Sequence, residues 1–270
     1  MAKHCRFCGA ARRLTKEHVW PGWLAVYMPK LKQQGYAERW SSGSGREGWR
    51  APFLSATVRE VCADCNNGWM AAVEAAAKPI VGPMVMGQAV ELGAEAQTTV
   101  ANWVAVKGLI AALTSKDAQP IPDYHFRRVA AAGGAPANTM RMWIGRRRDL
   151  ASGTRPGHVT LLNSHFMPLT NVFRQFPAHP EIERYRAEGG VFNALVFQAG
   201  HFFALAFQHD WPGLLARPRP RTKASHALLP IWPTGSGVQW PPPRSVDELG
   251  DPHKITQFLE IAPIVPLIGP

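Results

Sequence analysis

Four cysteines set as two C-x-x-C pairs, Cys5-Arg-Phe-Cys8 and Cys62-Ala-Asp-Cys65, constrain this 270-residue chain more than any other feature, and they are all the cysteines it has. No apolar leader precedes the first pair, so a reducing compartment is expected, and there paired thiols at this spacing read as metal ligands and not as disulfides. The expectation is one structural Zn²⁺ held by Cys5, Cys8, Cys62 and Cys65. A site of four thiolates is tetrahedral and closed, so its role is to pin two knuckles that are distant in sequence. Such binding contributes on the order of 10 kcal/mol to the folding of a small module. Residues 9–61 become a loop closed by metal, and His18 lies near its base.

Charge supplies the next constraint. Thirty Lys and Arg against nineteen Asp and Glu leave +11, the electrostatic footprint of a polyanion binder, most often of nucleic acid. No signal-peptide pattern and no run of about 18 apolar residues is present, so a soluble, cytoplasmic protein without membrane partners is expected. No nucleophile elbow, Walker loop or dinucleotide fingerprint occurs, which leaves esterase, NTPase and Rossmann readings without support.

Along the chain, a polar Gly/Ser-rich stretch over residues 30–50 reads as loop, and Phe53–Val61 as a short β run. The Ala-rich segment from Asn67 to Lys78 predicts a helix that stops at Pro79. A second helix is expected over Ala96–Ser115, where Val100, Trp103, Val104, Lys107, Leu109 and Leu113 fall on a helical spacing. Ala131–Ala137 reads as a joint. Strands are expected at Met140–Ile144, Val159–Met167, Val191–Phe197 and His201–Phe207, the last two forming a hairpin. The division expected is a zinc module over residues 1–80 and an α+β region over 81–270, without internal repeats.

The string Cys5-x-x-Cys8, Thr15-Lys-Glu-His-Val-Trp-Pro21, Cys62-x-x-Cys65-Asn66-Asn67 resembles the HNH endonucleases, specifically their zinc-stapled, treble-clef subgroup with a ββα-metal core. The resemblance covers residues 5 to about 78 only. It implies an α+β fold: an HNH-like ββα module, then a helix and a mixed, largely antiparallel region. It further implies that the acid–His pair ends the first strand and that a residue opening the helix completes a cation site. Carried over, His18 is the general base, and Glu17 with Asn66, or Asn67, binds a catalytic Mg²⁺ or Mn²⁺ through the oxygen ligands such ions prefer. Glu74 is a candidate for orienting a ligand. Relatives carry an Asn in the second strand to orient the histidine. Here the nearby residues are Ser55, Ala56, Thr57 and Val58, so Thr57 or a backbone carbonyl takes that role.

Outside this module, Arg146, Arg147 and Arg148 are candidates for phosphate contacts. Most of the ten tryptophans are expected in the core, with Trp40 and Trp49 set among arginines in the polar loop. The expected activity is metal-dependent hydrolysis of phosphodiester bonds in nucleic acid, DNA by the habit of the family. A homodimer or a second site would be needed to cut both strands. The competing expectation is a catalytically inactive zinc module that binds nucleic acid or serves as base for a C-terminal interaction or sensor region.

Overall fold

The computed structural model describes residues 3–28, 56–114, 121–148, 192–209, 214–215, 218–249, 259–261 and 265–266. Within them the fold is α+β with antiparallel sheets. The order is β1 (Leu14–His18), α1 (Leu24–Tyr27), β2 (Thr57–Cys62), α2 (Ala71–Val85), β3 (Val90–Leu92), α3 (Ala94–Ala112), α4 (Asp123–Ala131), β4 (Arg141–Arg146), β5 (Phe192–Ala199) and β6 (Phe202–His209). Then follow β7 (Leu214–Leu215), β8 (Pro218–Pro220), β9 (Leu228–Trp232), β10 (Val238–Trp240), β11 (Leu259–Ile261) and β12 (Val265–Pro266). The expected strand over residues 159–167 and the side chains of Trp40 and Trp49 lie outside the described residues.

Helix α3 is the axis of the molecule. From Val100 to Ala112 it buries nearly every side chain, as a helix that is apolar all round must. It packs against α2 and against β5, β6 and β9 of a four-stranded sheet ordered β5-β6-β4-β9. The β5–β6 hairpin expected from sequence is present. Its turn places Gly200 at φ 55°, a left-handed conformation natural to glycine, with the Val85 carbonyl too close for any Cβ.

The expected stop at Pro79 is not what the chain does. Helix α2 continues through Pro79 and Pro83 to Val85. Each proline removes one backbone donor. The carbonyl orphaned by Pro79 belongs to Ala75, and both residues are exposed, so water can take the missing hydrogen bond. Residue 80, the expected domain boundary, therefore falls inside a helix. The core is also continuous across it, because Phe7, Trp20, Val61, Trp103, Phe197 and Trp240 belong to one cluster of buried side chains. Trp20 meets Phe197 at 4.7 Å and Trp23 meets Trp103 at 5.7 Å between ring centroids, so the N-terminal aromatics are core of the whole fold.

Helix α4 was not expected from sequence. It follows Pro122, opens with Asp123 and buries His125, Phe126 and Val129. It is tied to the first cysteine knuckle: Arg6 bonds Asp123 at 2.8 Å and donates to the Ile121 carbonyl at 2.8 Å, while Phe7 packs edge-on to Phe126.

Two of the arginines proposed for phosphate contact serve the fold. Arg147 Nε donates to Asp247 Oδ1 at 2.7 Å and its Nη1 to Gln198 Oε1 at 2.9 Å. The Arg148 amide and Ser245 Oγ both donate to Asp247 Oδ2, and the Arg148 guanidinium pairs with Glu248. Burial raises the Asp247 carboxyl, but the bonds from Ser245, the Arg148 amide and Arg147 outweigh it and hold the group below the usual carboxylate range. A depressed folded pKa stabilises above the unfolded value near ~3.9 and is lost as pH falls through the folded one. Asp247→Asn should therefore cost on the order of 2 kcal/mol at neutral pH and flatten the acid limb of the stability curve below about pH 4, read by urea titration at several pH values. An unchanged acid limb would mean that Asp247 does not hold this latch.

Candidate metal and nuclease site

The first knuckle is a tight turn in which the Gly9 amide donates to the Cys5 carbonyl at 2.8 Å and the Cys5 amide to the Ala10 carbonyl at 3.0 Å. Gly9 takes φ 73°, which accounts for a glycine directly after the pair. The second pair sits where β2 ends and a short helical turn, Ala63–Cys65, begins. Because β1 and β2 are antiparallel and Arg6 bonds the Glu60 carbonyl, the knuckles face each other. The four thiol sulfurs all lie within 4.8 Å of one another. Cys5 to Cys65 is 3.9 Å and Cys8 to Cys62 is 3.7 Å between sulfurs. Four thiolates about 2.3 Å from one tetrahedral Zn²⁺ stand about 3.8 Å apart, close to these two separations, so the quartet can hold a metal such as zinc. Burial pushes the Cys8 and Cys65 thiols up, whereas at Cys62 it is outweighed by hydrogen bonds from the Cys65 backbone and the neighbouring thiols. Metal ligation requires the thiolate form, so a metal bound here would displace the thiol protons of Cys8 and Cys65 that burial otherwise retains.

Below the quartet, β1 and β2 carry the remaining expected residues. Leu14 opposes Cys62 and Thr15 opposes Val61, but Glu17 opposes Val58, so the register slips at Lys16. Lys16 thus faces two residues of β2, Arg59 and Glu60, and the bulge they form changes the twist of the pair at this end. Asn66 covers it, donating from Nδ2 to Thr15 Oγ1 and to the Lys16 carbonyl, each at 3.1 Å. Past the bulge Glu17 points inward and is buried, while His18, the last residue of β1, is exposed. Thr57 is its direct cross-strand neighbour and so shares its face. Asn67 is exposed beside Asn66, in a π-helical turn over Asn66–Met70 kinked at Gly68, and Glu74 follows in the first turn of α2.

The residue that sequence reasoning passed over is Lys107. It lies mid-α3 with only 1% of its surface exposed. Its ammonium donates to Glu17 Oε1 at 2.8 Å and to the His18 carbonyl at 3.0 Å, and it pairs with Glu74 Oε1. Three N–H donors meet three oxygens, so the buried charge is fully satisfied. Glu17 and Glu74 are thereby brought to one point, and the backbone that presents His18 is anchored to the central helix. A signal existed: Lys107 sits on the same apolar stripe as Trp103 and Val104, where a cation requires a partner. Arg146 ends β4 of the four-stranded sheet and Arg147 and Arg148 follow it; their partners Asp247 and Glu248 lie outside this cluster.

No protein-family model, curated protein or solved structure matches this chain. No helix among the described residues is long and apolar enough to cross a membrane.

Proposed function

We propose that the chain is a metal-dependent endonuclease that hydrolyses phosphodiester bonds in nucleic acid, with DNA as the first substrate to test. The observation that carries the reading is His18: exposed at the end of β1 just past the register shift, anchored through its own carbonyl by Lys107, and faced by Thr57. A histidine so held can accept the proton of an attacking water, and Thr57, its cross-strand neighbour, is the residue that would orient its ring. Glu17 through Oε2, Asn66 through Oδ1 and Asn67 would hold Mg²⁺ or Mn²⁺, which when bound neutralises charge on the phosphate and leaving oxygen. The donor set suits such an ion. Asn66 spends its Nδ2 hydrogens on Thr15 and Lys16, leaving Oδ1 without a hydrogen bond among the described residues. The two carboxylates of Glu17 and Glu74 face one ammonium, so the cluster keeps a formal negative charge that attracts a cation.

Lys107 also favours a second reading, because Glu17 already has a cation on Oε1. In that reading the zinc-type module binds nucleic acid without cutting it, or braces the C-terminal region. Supercoiled plasmid separates the two. Conversion to relaxed circles only when Mg²⁺ or Mn²⁺ is added supports the nuclease. Binding that is indifferent to added cation, with no conversion, supports the second reading. Linear product in place of relaxed circles would call for a dimer or a second cutting site.

A further inference from the structure

A cleft of about 370 Å³ opens beside the cysteine quartet, lined by Lys3, Ala11, Arg12, Arg13, Leu14 and Arg59. Four of its six lining residues are cations. Arg12 is shared with Asp64, but both are more than half exposed, so that pair is weak and readily exchanged. Lys3, Arg13 and Arg59 are exposed and make no ion pair among the described residues. Unpaired cations gathered in one concavity raise the local potential for an anion, and arginine presents a planar fork that matches phosphate oxygens.

The position of Arg59 connects this cleft to the candidate nuclease site. It lies on β2 two residues from Thr57, with buried Val58 between them. Strand alternation sets Arg59 and Thr57 on one face, about 6.6 Å apart along the strand, and Thr57 stands opposite His18 on that same face. One exposed face of the β1–β2 pair thus runs from the cationic cleft to the imidazole. We infer that the cleft is a phosphate-binding track, gripping the backbone of a nucleic-acid strand next to the phosphodiester presented to His18. This assignment rests on the nuclease reading for its direction, and on the cleft alone for its chemistry. The fold supports it twice over. The first knuckle closes Cys5–Ala10 between Lys3 and the Ala11–Leu14 segment, and Arg59 lies within β2, so two ordered elements flank the cleft.

The test is anisotropy of a labelled short DNA duplex with the full-length, zinc-loaded chain in the His18→Ala background, without Mg²⁺, so that nothing is cut. Arg13→Gln with Arg59→Gln is compared with Lys223→Gln plus Arg244→Gln, an equal loss of charge at exposed positions elsewhere. The cleft pair should weaken binding on the order of tenfold at about 0.15 M salt and lower the slope of log K against log salt by nearly two. The control pair should change both far less. Equal effects from the two pairs would overturn the cleft as a track. Displacement of the duplex by inorganic phosphate at constant ionic strength, beyond what chloride achieves, would reassign it to a small anion and equally overturn the proposal. The nuclease reading fails separately: a wild-type chain that binds through the cleft and never cuts keeps the track and loses the cutting. A chain that cuts at an undiminished rate with both arginines replaced keeps the cutting and loses the track.

Discussion

Stripping the metal with a chelator, or replacing Cys62 by Ser, should unfold far more than the first eighty residues. Metal binding at such a quartet supplies on the order of 10 kcal/mol, comparable with the whole stability of an ordinary domain. Were residues 1–80 a separate module, the remainder would melt unchanged. Instead Phe7, Trp20 and Val61 share one buried cluster with Trp103 and Phe197, and the helix that leaves the second knuckle runs on into the body of the protein. Loss of the quartet exposes those aromatics and removes one wall of the core around α3. Calorimetry should show a single transition that falls steeply on chelation, with one zinc per chain by native mass spectrometry before it. A second transition that ignores the chelator would argue for independent domains.

Lys107→Met should cost about 3–5 kcal/mol, because it leaves Glu17 buried beside Glu74 with no counter-charge. The figure is large for one side chain because the ammonium serves three acceptors and none has another cation among the described residues. Adding Glu17→Gln and Glu74→Gln to Lys107→Met should recover much of the loss, since neutral amides remove the stranded charge. Urea titrations of the single and triple variants measure this directly. A Lys107→Met chain within about 1 kcal/mol of wild type would mean that the cluster is not the anchor described here.

Legibility from sequence divides along the range of the interactions. The cysteine quartet, the central helix and the β5–β6 hairpin were all readable, since each rests on spacing within a few residues or on periodicity, whereas the strand ahead of α1 came only from the resemblance. That Thr57 neighbours His18 came from the resemblance, which places an orienting residue on the second strand, and the register bears out the adjacency. Lys107 was visible only as a cation on an apolar stripe. Its partners lie 90 residues away at Glu17 and 33 residues away at Glu74, and no local pattern encodes such a meeting. Arg147 and Arg148 were visible only as a basic run after a strand; their partners Asp247 and Glu248 lie a hundred residues on, beyond any local pattern. The prolines of α2, by contrast, misled. Proline breaks a helix where the orphaned carbonyl is buried, and the exposure of Ala75 and Pro79 is a property of the folded chain.

The central claim is that His18 removes a proton during phosphodiester cleavage, and it is tested most directly by a time course on supercoiled plasmid with zinc-loaded wild type beside His18→Ala. His18 is exposed, so the variant should keep its fold and its melting temperature. In Mg²⁺ or Mn²⁺ the wild type should relax the plasmid, the reaction should stop in EDTA, and His18→Ala should lose at least about a hundredfold in rate. A His18→Ala chain that cuts as fast as wild type, or a folded wild type that binds plasmid and leaves it supercoiled in every cation, would contradict the account.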